Sequence, residues 1–146
     1  MERKFEILSG QALKVPVLRI LYEGADLNQK VISVKAEGSV IHLRDIQLQN
    51  TGNRVTEFVS VRLQFAAKVD VAAALWESTP TSDKDFPSVA FTAVQFRISP
   101  QETWNLTPLT VVAPGVWPSE VRAKMHAFYG QERPAEAVFV VRIAQK

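Results

Sequence analysis

Apolar and polar side chains alternate with a period of two through most of this chain, as in strands that bury one face. The alternation is clearest in residues 55–65 and again after residue 136. An amphipathic helix has a period of 3.6 residues, so these runs could not present one apolar face as helices. The side chains that we expect in the core of these two runs are Val59, Val61, Leu63, Phe65, Ala137, Phe139, Val141 and Ile143.

An early strand is also predicted, over residues 13–22. Its first apolar set consists of Leu13, Val15, Val17 and Leu21. Pro16 interrupts this run, and because proline cannot donate a ladder hydrogen bond, the strand is expected at a sheet edge or a bulge.

Two places change parity in the middle of an apolar run. Between Leu43 and Ile46 the apolar positions switch from odd to even, which predicts a β-bulge or a sharp twist around Arg44–Asp45. A similar change between Phe91 and Val94 predicts a strand that bends or is buried on both faces.

Turn residues separate the runs at the spacing of a sandwich or barrel. Residues 119–129 alternate cleanly and are predicted to be a strand, whereas the alanine-rich residues 66–78 fit a helix or a strand. The expected fold is all-β, an antiparallel immunoglobulin-like β-sandwich of about eight or nine strands. We expect residues 1–146 to form a single domain.

The segment Ile-Gln-Leu-Gln-Asn-Thr-Gly-Asn at residues 46–53, followed by Val-Ser-Val-Arg-Leu at 59–63, resembles a known element. It is similar to the Asn-Thr-Gly-Asn hairpin of bacterial immunoglobulin-like modules of the adhesion-related type. The preceding residues 18–24 resemble the first strand and turn of some such modules. The resemblance covers roughly the first half of the chain. It implies a hairpin at residues 50–53 and carries no catalytic residues.

Composition narrows the possible chemistry. The chain has no cysteine, which excludes disulfides and thiolate sites, and its net charge is only +2 with no basic run that would suit nucleic acid. No apolar stretch approaches the ~18 residues of a membrane span. The compartment stays open: cytoplasmic for a complete chain, extracytoplasmic for a domain cut from a longer protein.

No local catalytic or metal-binding constellation is found. The two histidines, His42 and His126, alternate with apolar residues on predicted strands, and Asp45 is expected on the opposite face from His42. The acidic loop at residues 82–85 contains a lysine and fits a solvated turn better than a calcium site. We therefore predict no catalytic residues, no metal, no cofactor and no enzymatic activity.

The remaining candidates are binding residues. Trp104 and Trp117 lie in proline-flanked segments, where such rings either stack on a ligand such as a sugar or close the end of the core. Arg122 and Lys124 belong to a basic row that could face an acidic partner. The second apolar face of the early strand predicts cover by a loop or by another subunit, and its residues are Leu18, Ile20 and Tyr22.

The leading functional hypothesis is a non-catalytic interaction or scaffold module that binds a protein partner or itself, in a larger surface or membrane-associated assembly. Two alternatives stay open. One is a carbohydrate-binding module that uses the loop tryptophans. The other is a hydrolase whose carboxylates come together from distant strands.

Overall fold

The computed structural model describes residues 14–72, 76–79, 83–93, 97–130 and 132–145, and in these ranges the chain is all-β. The predicted fold class is confirmed. The strands are β1 (Leu18–Tyr22), β2 (Ala25–Asp26), β3 (Val31–Ala36), β4 (Val40–Leu43), β5 (Ile46–Asn50), β6 (Ser60–Phe65), β7 (Asp70–Ala72), β8 (Glu77–Thr79), β9 (Ser88–Ala93), β10 (Thr103–Asn105), β11 (Leu109–Val112), β12 (Glu120–Phe128) and β13 (Ala135–Gln145).

Three sheets are formed by these strands. The six-stranded sheet has the order β3-β13-β12-β6-β9-β8, the four-stranded sheet β10-β5-β1-β2, and the three-stranded sheet β4-β11-β7. Every pairing is antiparallel except that of β13 with β3. The number of strands exceeds the expected eight or nine because several of them are only two to four residues long.

Buried side chains from all three sheets form one hydrophobic cluster, so the six-stranded sheet packs against the two smaller ones. The predicted core residues of β6 and β13 are all buried in this cluster, as the alternation predicted. The segment 119–129 is a strand, as expected. The ambiguous residues 66–78 contain β7 and the start of β8, while 73–75 lie outside the described residues, as do Leu13 and Val94.

The change of parity at Arg44–Asp45 is a twist and not a bulge. Leu43 pairs with Leu109 on one side of it and Gln47 with Asn105 on the other, so each strand contributes three intervening residues and the register never slips. Asp45 has a positive φ of 66°, and here the chain leaves the three-stranded sheet and enters the four-stranded one. Both Leu43 and Ile46 are thereby buried, although they differ in parity.

The early strand buries residues of both parities. Of the set expected first, Leu21 is buried but Val17 is 42% exposed, whereas Leu18 and Ile20 of the other set are buried in the hydrophobic cluster. Pro16 precedes β1, so its missing N–H removes no hydrogen bond within the strand.

The Asn-Thr-Gly-Asn segment does not form the expected hairpin. It connects β5 and β6, which lie in different sheets, so it is a corner between them. The side chain of Asn50 is fully buried there and forms four hydrogen bonds. Its Oδ1 accepts from the backbone N–H groups of Val17 and Gly52, and its Nδ2 donates to the carbonyl oxygens of Arg54 and Ile98.

Position 52 has no room for a side chain and therefore requires glycine. A Cβ at Gly52 would lie 2.3 Å from the carbonyl oxygen of Val15 and 2.6 Å from the backbone nitrogen of Val17. The close approach is held by flanking bonds, since Asn53 N–H donates to the Val15 carbonyl at 3.1 Å and Thr51 N–H to the Val17 carbonyl at 2.8 Å. The corner therefore clamps the chain just before β1.

We predict that Gly52→Ala destabilises the protein by about 1–3 kcal/mol, because the added methyl group meets backbone atoms that cannot move alone. The measurement is urea unfolding followed by tryptophan fluorescence. The matched control is Gly115→Ala, where an added Cβ meets nothing within 4 Å and a neutral or slightly stabilising effect is expected. Equal effects of the two substitutions would contradict the prediction.

Candidate binding cleft

Strands β3 and β4 begin as a hairpin that opens after a single pair. Glu37 and Val40 exchange both backbone hydrogen bonds, at 2.9 and 3.1 Å. In the same register, Lys35 would face His42 and Ser33 would face Arg44. These pairs do not form, because β3 joins β13 in the six-stranded sheet and β4 joins β11 in the three-stranded sheet.

The backbone groups inside this opening follow from the neighbouring ladders. Val140 N–H donates to the carbonyl of Lys30 at 3.0 Å. Alternate residues of β3 then bond to β13, which leaves the N–H and C=O groups of Ser33 and Lys35 facing the free edge. On the other strand, Ala113 N–H donates to the Ser39 carbonyl at 2.9 Å, and in this phase the backbone of His42 faces away from β11.

A cavity of about 250 Å³ occupies the opening, and we call it the β3–β4 cleft. Its walls carry both the residues of the unformed pairs and apolar side chains from the edge of the core. The lining residues are Tyr22, Ile32, Ser33, Val34, Lys35, His42, Leu43 and Arg44. Two strand edges that have no pairing partner among the described residues thus face each other across a cleft.

The charged side chains that line the cleft are cationic. Neither Lys35 nor Arg44 forms an ion pair with a residue that the structure describes. The Nδ1 atom of His42 lies 3.1 Å from the Thr110 hydroxyl oxygen. At one end of the cleft, burial raises the pKa of the Tyr22 phenol, and the carboxylates of Glu23 and Asp45 raise it further.

Sequence reasoning predicted Tyr22 as an interface residue, which stays a prediction, and did not single out Ser33, Lys35 and Arg44, which line the cleft with it. The Glu37–Gly38 turn signal is visible in the sequence, and Gly38 does have a positive φ of 64°. What the sequence does not show is that the hairpin opens. Leu18 and Ile20, predicted with Tyr22, are buried in the hydrophobic cluster of their own chain, and a subunit contact through them stays a prediction.

The two loop tryptophans are placed differently. Trp117 is only 3% exposed, and its indole N–H donates to the Ser39 carbonyl at 2.7 Å. Trp104 is half-buried against the core. The Trp117 ring closes the core, and a ligand could stack on it only after the ring left its place. Ligand binding by either ring stays a prediction.

The basic row on β12 partly covers an aromatic ring. Phe86 is buried beneath Arg122, whose Cζ lies 5.6 Å from the ring centroid, and beneath Lys124, whose Nζ lies 4.6 Å from it. Through these cation–π contacts, both cations already interact with a residue of their own chain. A role of Arg122 and Lys124 toward a partner stays a prediction.

His126, the next residue of that row, sits between a cation and a carboxylate. Its Nε2 lies 2.9 Å from Glu136 Oε2, and its Nδ1 lies 3.4 Å from Arg62 Nη2. These partners fit a neutral ring with the proton on Nε2. Burial lowers the pKa of His126, and Arg62 and Lys124 lower it further, while Glu136 opposes them.

In the contacts that the structure describes, neither histidine is placed between a carboxylate and a hydroxyl, as a base that activates a nucleophile would be. The described contacts of His126 include a carboxylate but no hydroxyl, and those of His42 include a hydroxyl but no carboxylate. In the acidic loop, Asp83 Oδ1 accepts from the N–H groups of Asp85 and Phe86, as in a solvated turn. Within the described ranges, no three acidic or imidazole side chains come close enough to hold a metal ion.

No family model matches this chain, and no curated protein matches it. Solved structures do. The CARDB domain of a Pyrococcus furiosus protein, solved with di-metal ions, is 12% identical over 93% of this chain and 100% of that one, with a TM-score of 0.47. An uncharacterized Nocardia farcinica protein with an immunoglobulin-like fold is 10% identical over 77% and 98%, with a TM-score of 0.45.

A family 123 glycoside hydrolase from Clostridium perfringens is 8% identical over 90% of this chain but only 27% of its own, with a TM-score of 0.49. At these identities and TM-scores the comparisons assign no function. The part of the chain that the structure describes contains no helix long and apolar enough to cross a membrane.

The lowered pKa of His126 gives a testable pH dependence. Below the ordinary histidine pKa of about 6.5 the unfolded chain takes up a proton that the folded chain resists. The contribution of His126 to stability is therefore complete above that pH and is lost as the pH falls through the folded pKa. We predict that the wild type loses stability relative to His126→Gln between about pH 7 and about pH 5.

Urea unfolding of both proteins across this range measures the effect. Glu136→Gln removes the carboxylate that raises the pKa of His126. A protein that carries this substitution and keeps His126 should therefore lose more stability than the wild type as the pH falls. A difference between wild type and His126→Gln that does not change with pH would contradict the prediction.

Proposed function

We propose that this chain is a non-catalytic binding module that takes an extended segment of a partner protein into the β3–β4 cleft. The observation that carries the proposal is the hairpin that opens after one pair and leaves two strand edges facing each other. An added strand would complete the hydrogen bonds of Ser33 and Lys35 on one wall. This mode of recognition gives affinity through main-chain bonds and specificity through alternate side chains.

A comparison with the opposite side of the sandwich supports the choice of the β3–β4 cleft. A cavity of about 340 Å³ lies there, lined by residues that include Val71 of β7, Ser78 of β8 and Ser88 of β9. The Ser88 hydroxyl already donates to the Ala67 carbonyl and accepts from Val69 N–H, both at 2.8 Å. In the β3–β4 cleft, by contrast, the outward backbone groups and the two cations have no partner within the described ranges and so can bond to a ligand.

The alternative functions have less support. A carbohydrate site on Trp117 would need a ring that is buried and hydrogen-bonded to move. A hydrolase would need two acids in one cleft, and none of the residues that line the β3–β4 cleft is acidic. That the module acts within a larger surface or membrane-associated assembly, or associates with itself, stays a prediction, as does the absence of enzymatic activity.

The test removes one backbone donor. We predict that Ser33→Pro abolishes binding of seven-residue peptides selected on the wild type from a random displayed library, because proline has no N–H and its ring fills the cleft edge. The matched control is Val31→Pro, which removes an outward N–H of the same edge but lies outside the cleft. Binding is measured by fluorescence anisotropy, with circular dichroism to verify folding.

Peptides that lose at least about tenfold in affinity for Ser33→Pro but not for Val31→Pro support the proposal. A library that yields only peptides indifferent to both substitutions would show that recognition takes place elsewhere on the protein.

A further inference from the structure

Resting on the proposed function, we infer that the segment bound in the β3–β4 cleft alternates apolar and acidic side chains, with the apolar ones directed inward and the acidic ones outward. The inference comes from the two faces of the cleft walls. Successive side chains of any strand point to opposite faces, so a strand laid between β3 and β4 must match both.

The inner side of each wall is apolar. On β3, Ile32 is buried and Val34 is half-buried, and on β4, Leu43 is buried. All three line the cavity. Inward side chains of a bound segment would therefore contact the edge of the hydrophobic core, where a polar group would lose water without gaining a partner.

The outer side of the walls is cationic. Lys35 is exposed on one wall and Arg44 on the other, and the imidazole of His42 lies between them in sequence. In the unformed register Lys35 would face His42 and be a diagonal neighbour of Arg44, so an outward side chain at the centre of the cleft would be within reach of both cations. A carboxylate fits that position because charge-assisted hydrogen bonds are the strongest that these groups form.

Cations elsewhere on the surface are used differently. Arg19 pairs with Asp26 at 3.3 Å, and Arg142 pairs with Glu120 at 3.1 Å. Lys35 and Arg44 have no such partner in the described residues. Acidic residues border both ends of the cleft: Glu23 and Asp45 act on Tyr22 at one end, and Glu37 belongs to the pair that closes the other. The acidic side chains of the segment should therefore lie at the centre of the cleft, between Lys35 and Arg44.

The experiment starts from the peptides whose binding depends on Ser33. We expect apolar residues such as valine to alternate with acidic residues in these peptides. Representative peptides are then synthesised with each glutamate kept, changed to glutamine or changed to lysine, and are titrated against the wild type and Lys35→Gln/Arg44→Gln. The matched control is Lys68→Gln/Arg133→Gln, which removes the same charge from two exposed sites that do not line the cleft.

The glutamate peptide should bind the wild type at least about tenfold more tightly than the lysine peptide at low salt, and this preference should shrink as salt is added. The preference should disappear in Lys35→Gln/Arg44→Gln and survive in the control. Glutamine peptides should bind with intermediate affinity.

Three outcomes would overturn the inference. Ser33-dependent peptides that are neutral or basic would refute the acidic pattern and leave the proposed function standing. An acidic preference that is unchanged in Lys35→Gln/Arg44→Gln would show that these two cations take no part in recognition. A library without any Ser33-dependent peptide would refute both the inference and the proposed function.

Discussion

The buried amide of Asn50 is the interaction on which the arrangement of the sheets depends. It satisfies two backbone N–H groups and two carbonyl groups from three parts of the chain, with distances of 2.7–3.2 Å. Buried backbone groups without partners cost about 1–3 kcal/mol each. With an apolar side chain of similar size, the Ile98 carbonyl would keep its bond from Thr56 N–H at 3.0 Å, but the other three groups would lose the partner that Asn50 supplies. This position therefore requires a planar group with both donors and acceptors.

The consequence reaches the other end of β5. Asn50 fixes one end of this strand, and the twist at Arg44–Asp45 fixes the other. Because both strands of the ladder turn together without a slip in register, β4 is carried into the three-stranded sheet, where β11 holds it. β4 therefore leaves the plane in which it could have continued the hairpin with β3.

β3 forms a longer ladder with β13 than with β4. It pairs with β13 over Val31–Ala36, whereas its hairpin with β4 contains the single pair Glu37–Val40. The longer ladder prevails even though it is parallel and distant in sequence, because each added pair completes further backbone bonds. The β3–β4 cleft therefore forms because two strands that are consecutive in the chain pair within different sheets.

Local patterns predicted the parts of the fold whose cause is local. Apolar side chains recur at every second position of β6, β12 and β13 because these strands lie inside the six-stranded sheet with one face on the core. The Asn-Thr-Gly-Asn segment misled because a tight turn and a corner between sheets use the same residues. The distinction lies in what Asn50 and Gly52 contact, Val17 and Ile98 among them, and those contacts are distant in sequence.

The candidate site was hidden for a similar reason. Ser33, Lys35 and Arg44 have the alternation of an ordinary exposed face, and only the tertiary pairing of β3 with β13 shows that their edge is open. The charge pattern across the cleft suits such an opening. A lysine on an edge strand discourages unwanted pairing. Here Arg44 lies on the facing wall, so closing the hairpin would bring two like charges together at diagonal positions, which is unfavourable. The same cations therefore oppose pairing between β3 and β4 and favour a segment that brings carboxylates between them.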